Sequence, residues 1–416
     1  MALSDLQIQT LASDAMRRAA AGDFAGAEPL LARIADARPN SGQALHLLGQ
    51  ARLKLGRFAE AREPLERGAR FLPRDAAAQV NLAGCLAVLG EHEAALAALD
   101  RAARLKPGDA AIAHNRGRSL EALGRLEEAE RAYGDALATD HRLLPSLSAR
   151  ARLLAERGDW MGALADLDMA LTSRPDDAPL LVRRGELLLG RGDWLRGLPD
   201  HEARLRLPGE RYEPPLPRWQ GEPLDGRLLV YPEQADIDSD AAVRDTLMLA
   251  RGVDAVVQCP DALAGRLAGP TIARGAPLDG FAAAAPLRSL PYLLGWTPET
   301  VPSAPPLQPA SDGMARARGG IGWFAACAPP AGLLVERDPD RAAACRLVVG
   351  DDVATTHLAA ASGIPTLLLL PAGADWLWGP RSGPSPWYPA LEVLAAADHG
   401  LLPERLRASG IAAGHA

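Results

Sequence analysis

LGRFAEAREPLERGARFLPRD (residues 55–75) and LGEHEAALAALDRAARLKPGD (residues 89–109) share one pattern, 34 positions apart. Each begins Leu-Gly, has a ring side chain two residues after the glycine (Phe58, His92) and an alanine five residues after it (Ala61, Ala95). Twelve residues after that alanine comes a proline, Pro73 or Pro107. The same spacing extends in both directions. The glycines are Gly22, Gly56, Gly90, Gly124, Gly158 and Gly192, and the small residues are Ala27, Ala61, Ala95, Ala129, Ala163 and Gly197. The bulky slot reads Phe24, Phe58, His92, Leu126, Trp160 and Trp194, and the closing slot reads Pro39, Pro73, Pro107, His141 and Pro175. A glycine allows a tight turn between two helices. The small residue lets the helices approach closely, and the proline stops the second one. The spacing predicts helices over residues 43–55 and 58–71, with Leu48, Ala51 and Leu55 on the packed side of the first.

Six registered copies with this period resemble the tetratricopeptide repeat, an antiparallel helix pair. They fill residues 8–210, and the sixth copy drifts, as a terminal repeat does. Such arrays bind other proteins, so any chemistry has to come from the second half. The 416 residues leave room for more than one domain, and 48% hydrophobic with 23% charged residues fits a soluble globular chain. The net charge of −7 opposes a general nucleic-acid binder. Cys85, Cys259, Cys327 and Cys345 form no CxxC pair, so reduced thiols are expected and no metal site is. With no signal peptide and no apolar run long enough to span a membrane, the expected location is the cytoplasm.

Residues 211–226 carry four prolines and two glycines, the composition of a linker or a structured junction. Beyond it the periodicity changes. Short apolar runs at 228–231, 255–258, 321–325, 347–349 and 366–370, with a helical stretch at 239–251, predict an α/β domain over residues 227–416 with a parallel sheet.

The stretch 348–390 is the most specific. A strand ends at Gly350-Asp351-Asp352, and a helix begins near Thr355-Thr356-His357 and stops at Ser362-Gly363. A helix start at the carboxyl end of a strand is suited to anions. Then come Asp375-Trp376 and Ser385-Pro386-Trp387-Tyr388-Pro389. Upstream stand Arg204-Leu205, Trp219-Gln220-Gly221, Glu233-Gln234 and Ser289-Leu290-Pro291. Together these resemble bacterial tetratricopeptide-repeat proteins with a C-terminal GT-B glycosyltransferase domain, related to heptosyltransferases and O-GlcNAc transferase. The resemblance implies a helical solenoid followed by a Rossmann-like domain of reduced GT-B type. It further implies a nucleotide-sugar donor and no other cofactor. It assigns catalysis to Asp240 and His357, and donor binding to Asp352, Thr355, Thr356, His357 and Trp376.

The chain departs from that pattern at its site elements. The loop 235–240, Ala-Asp-Ile-Asp-Ser-Asp, lacks the family's glycines, Val353 replaces a threonine, and Leu377 replaces an arginine between two tryptophans. After Trp323 the stretch 324–330 is apolar where the family is polar, and the segment between Pro330 and Leu347 is compressed, as if a strand and a helix had been lost. Plainer readings stand beside the functional ones: His357 as a packed residue, Asp236, Asp238 and Asp240 as solvated carboxylates, and Trp376, Trp378, Trp387 and Tyr388 as core.

The repeat groove is the other candidate. Nine residues before the repeat glycine stand Asn81 and Asn115, where O-GlcNAc transferase holds peptide backbone with asparagines; Ser13, Leu47, Ala149 and Arg183 occupy the other copies. Arg118 and Arg152 follow three positions on, beside His114. Asn81, His114, Asn115, Arg118 and Arg152 are therefore the expected protein-binding residues, a solvated helix face being the plain alternative. The expected function is a protein-binding repeat module fused to a glycosyltransferase-like domain with impaired or absent catalysis, a pseudoenzyme. The alternatives are an active protein glycosyltransferase acting on a repeat-bound bacterial protein, with surface or flagellar proteins the class the resemblance implies, and a structural scaffold.

Overall fold

The computed structural model describes residues 4–267, 269–302, 321–325, 335–337, 345–370, 377, 383–385, 387–388 and 391–408. They form two compact units, Met1–Pro175 and Asp176–Ala416. The boundary thus lies inside the helical region expected to run to residue 210.

The first unit contains five helix pairs: α1 (Asp5–Ala20) with α2 (Phe24–Ala37), α3 (Gly42–Lys54) with α4 (Phe58–Phe71), α5 (Ala76–Val88) with α6 (His92–Leu105), α7 (Ala110–Ala122) with α8 (Leu126–Thr139), and α9 (Leu144–Glu156) with α10 (Trp160–Ser173). Every second helix starts at the bulky slot and ends two residues before the closing slot. The turn glycines sit at φ between +72° and +86°, a conformation that side-chain-bearing residues rarely adopt. The alanines of the small slot are fully buried. Asp75 and Asp109 cap α5 and α7 by accepting backbone N–H bonds. Successive pairs pack on one another, and the apolar clusters follow in series, centred on Leu31, Leu45 and Leu48, then Leu65, Leu82 and Leu99, then Leu96, Tyr133 and Leu153. A leucine buried this fully contributes roughly 1.5–3 kcal/mol.

The second unit begins with α11 (Ala178–Gly190) and α12 (Trp194–His201). These cross unusually closely, since a Cβ on Gly197 would lie 2.7 Å from Leu189 Cγ and one on Gly185 2.8 Å from the His201 nitrogen. The expected linker is not free chain. Trp219 is buried, its backbone N–H donates to the Ala284 carbonyl (2.9 Å), and the Ala284 N–H donates to the Pro217 carbonyl (2.8 Å). The rest is β1 (Arg227–Tyr231), α13 (Asp240–Leu249), β2 (Val256–Gln258), β3 (Thr271–Ile272), β4 (Phe281–Pro286), α14 (Leu290–Leu293), β5 (Ile321–Phe324), β6 (Val335–Glu336), β7 (Leu347–Gly350), α15 (Ala354–Ala361), β8 (Thr366–Leu370), β9 (Gly383–Pro384), β10 (Leu391–Ala395) and α16 (Leu402–Ala408).

These strands make two small sheets. One is parallel throughout, in the order β3-β2-β1-β4; the other runs β6-β5-β7-β8-β10-β9, antiparallel only at β9. Of the compressed segment between Pro330 and Leu347, the described residues include the two-residue strand β6. Several apolar clusters hold the unit, and one of them links its helices to both sheets. It joins Leu189, Trp194 and Leu198 to Val230 of β1, Val243 of α13, Leu368 of β8 and Trp387.

Candidate functional site

The corner singled out by the resemblance is built by α13 and α15, which pack together. Val353 precedes α15 with extended backbone and cannot cap it by its side chain. Asp240, on the first turn of α13, supplies what the missing hydroxyl would have: its Oδ1 accepts from the Ala354 N–H at 2.7 Å. A carboxylate from another element therefore already sits at the helix start where an anion was expected.

Asp352 is equally committed. Its Oδ2 accepts from Arg244 Nη1 at 2.8 Å and its Oδ1 lies 2.6 Å from His357 Nε2. His357 Nδ1 is 3.3 Å from the Tyr388 hydroxyl. Burial works to raise the Asp352 carboxyl, but the His357 hydrogen bond and the Arg244 charge outweigh it and hold it at about 2. Burial pushes the His357 imidazole below its ordinary 6.5 against the pull of Asp352. The consistent state is a neutral imidazole donating from Nε2 to a carboxylate and accepting at Nδ1 from Tyr388. An Asp–His pair can serve a nucleophile; here His357 is 0% exposed and its two ring nitrogens lie beside Asp352 and Tyr388.

Thr356 is also 0% exposed. Its Oγ1 has no hydrogen-bond partner and packs over Gly350, where a Cβ would collide with it. Thr355 is half-buried. The structure thus buries two of the expected donor-contacting side chains, Thr356 against Gly350 of β7 and His357 beside Asp352 and Tyr388. Trp376, with Asp375 and Trp378, lies outside the described residues. Leu377 is a core residue whose carbonyl accepts the Trp387 indole N–H at 2.5 Å, and Trp387 and Tyr388 are themselves buried.

The other carboxylates of the 235–240 loop have structural duties. Asp236 Oδ1 accepts the Asp238 N–H (3.0 Å), and Asp238 Oδ1 accepts the Asp261 N–H (2.9 Å). Arg274 holds the loop by donating to the carbonyls of Pro232, Gln234 and Ala235, with its guanidinium 4.0 Å over the Tyr212 ring. Motif residues elsewhere pair with each other. Arg204 binds Glu233 (3.1 Å) and Ser289 (2.8 Å), while Gln234 and Arg288 bind the buried Asp245 at 2.8 and 2.7 Å. Arg244, Arg274 and Arg288 were missed in the sequence because each acts on partners from other elements. Among the described residues no His, Cys, Asp and Glu group is arranged to hold a metal ion, and no helix is long and apolar enough to cross a membrane.

The groove of the first unit is open. Between α5, α6 and α7 lies a pocket of about 310 Å³, walled by Ala87, Val88, Leu99 and Ala122 and reached by Asn115 and Arg118. Neither the Asn115 amide nor the Arg118 guanidinium has a hydrogen-bond or ion-pair partner among the described residues. The other expected binding residues are partly engaged. Asn81 Nδ2 lies 3.4 Å from His46 Nε2, His114 Nδ1 lies 2.9 Å from Ser146 Oγ, and Arg152 pairs with Glu121 (2.5 Å) and Glu156 (2.6 Å).

The family pattern described as "Tetratricopeptide repeat" matches residues 18–84 and, in a second form, 65–110. No curated protein matches the chain. Among solved structures it is similar to MamA from Desulfovibrio magneticus RS-1, at 18% identity over 41% of this chain and 97% of that one, with a TM-score of 0.39. It is also similar to TTC0263, a thermophilic TPR protein in Thermus thermophilus, at 28% identity over 44% of this chain and 99% of that one, with a TM-score of 0.35. YrrB, titled a TPR protein with an unusual peptide-binding site, is 20% identical over 40% of this chain and 86% of that one, with a TM-score of 0.37. The pattern match makes residues 18–110 tetratricopeptide repeats, and the same 34-residue register and helix pairing continue on both sides of them.

Proposed function

We propose that this chain is a protein-binding repeat module joined to a glycosyltransferase-like α/β domain that has lost or impaired catalysis. The observation that carries the reading is a contrast in commitment. Asn115 and Arg118 border an open pocket with their polar atoms unused, whereas Asp240, Asp352 and His357 are consumed by internal partners. A donor diphosphate needs a fixed cation and free N–H groups; here Leu377 stands in the core and the Ala354 N–H already has a carboxylate. Sugar transfer depends on preorganised electrostatics of that kind, so weak donor binding and negligible turnover go together.

The test has two arms on the full chain. Asn81→Ala with Asn115→Ala removes hydrogen bonds of about 0.5–1.5 kcal/mol each, so recovery of the native partner in a pull-down should fall while the melting temperature stays. Radiolabelled transfer from nucleotide sugars to that partner should remain at background. Strong transfer abolished by His357→Ala would establish the active glycosyltransferase instead.

A further inference from the structure

Gly84 sits in the middle of α5, where a glycine costs roughly 1 kcal/mol relative to alanine. Packing does not require it. Gly49 and Gly117, at the neighbouring register position of α3 and α7, leave no room for a Cβ, which would collide with Leu65 in the first case and with Tyr133 in the second. That register position in α5 is taken by Ala83. Gly84 is one residue out of step, has helical φ, and a Cβ there would meet nothing within 4 Å. Its bare backbone faces the pocket that Asn115 and Arg118 border.

Arg118 occupies in α7 the place Gly84 occupies in α5, one 34-residue period later. It is exposed and has no ion-pair or hydrogen-bond partner among the described residues. The pocket's carboxylate, Glu121, is already held by Arg152 at 2.5 Å and by the Tyr133 hydroxyl at 3.0 Å. Val88 adds an apolar wall that is 58% exposed. The pocket therefore offers a backbone-to-backbone approach at Gly84, an amide able to donate and accept at Asn115, an aliphatic contact at Val88 and an uncommitted guanidinium at Arg118.

The geometry points to an extended protein segment bearing an acidic side chain as the occupant of this pocket, with its main chain over Gly84 and its carboxylate on Arg118. This rests on the protein-binding reading of the groove and specifies the partner's chemistry. The carboxylate replaces water around Arg118 with a charge-assisted pair of hydrogen bonds. A lysine at the same place in the segment faces Arg118 and is rejected.

The experiment is fluorescence polarisation of the full chain with a labelled peptide of about eight residues, roughly 27 Å when extended, made of Ala and Leu with one central Asp. Three results are expected. Replacing the probe's Asp by Asn, or making Arg118→Gln, weakens binding about tenfold, and the two changes together weaken it no further, because both remove one contact. Arg118→Glu reverses the preference toward a Lys-bearing probe. Gly84→Ala weakens binding while raising the melting temperature by about 2–4 °C, which a purely structural glycine would not do. Equal binding of the Asp, Asn and Lys probes, unaffected by Arg118→Glu but lost in Asn115→Ala, overturns the acidic partner and leaves the groove reading intact. If no probe binds at all, the acidic-segment assignment is overturned, and recovery of the native partner by the Asn81→Ala, Asn115→Ala chain decides the groove reading separately.

Discussion

At the scale of single residues, the α/β corner is a lesson in where polar groups spend their capacity. Asp240 and Asp352 have the residue type and position of site carboxylates, yet each accepts from a donor on another element. Their role in this conformation is closure between α13 and α15. The arrangement has a pH signature. The folded His357 pKa is depressed below 6.5, so the unfolded chain binds a proton that the folded chain refuses. The stability this provides is present above about pH 6.5 and is lost as the pH falls through the folded value. Burial pushes His201 down in the same way, and more strongly. Melting of the full chain followed by tryptophan fluorescence should therefore shift to lower temperature as the pH drops from about 7 to about 5. His357→Gln should reduce that shift without removing it, since His201 remains. An equal pH slope in both proteins would refute the assignment. Asp352, His357 and Asp240 were visible in the sequence as candidates. Arg244 was not, because it lies 108 residues from the carboxylate it binds.

At the scale of elements, one residue type does opposite things within a single repeat. Gly90 sits at φ +81° in the turn between α5 and α6, whereas Gly84 is helical and open. Gly90→Ala should destabilise the first unit by about 1–2 kcal/mol, because an L side chain is strained there. Gly84→Ala should stabilise it. Denaturant titrations followed by circular dichroism measure both, and equal signs would contradict the account. The turn glycines, the small slot and the closing prolines were legible because each acts within one helix pair, over a few residues of separation. The α/β strands were legible as apolar runs, and β1, β2, β5, β7 and β8 formed where the runs predicted. The fate of residues 211–226 was not. Proline and glycine content describes a chain that leaves regular structure, and only the bonds from Trp219 and Pro217 to Ala284 make this one part of a sheet edge.

At the scale of the whole molecule, the helical repeats and the compact units do not coincide. The sixth helix pair shares its core with the α/β residues: Trp194 stacks on Trp387, 6.1 Å between ring centroids at 22°, and Leu189 and Leu198 join the same cluster. A chain ending at Pro175 should therefore fold alone and melt cooperatively as a helical protein, since its clusters are internal. A chain ending at residue 210 keeps the sixth pair but strips Trp194, Leu189 and Leu198 of Trp219 and Trp387, and it should aggregate or bind a hydrophobic dye. Clean folding of both fragments would place the boundary later than the contacts do.

The sequence alone determined the number of helix pairs, their boundaries and the change to strand periodicity, because turn geometry, close helix crossing and amphipathic spacing are local and repeat with the chain. Only the tertiary structure decided that Asp240, Asp352 and His357 hydrogen-bond to partners within the chain and that Asn115 and Arg118 have none among the described residues. It also decided that the last helix pair belongs to the second unit. Those outcomes depend on which distant side chains supply the missing partner of each polar or apolar group, and a one-dimensional pattern carries no record of that pairing.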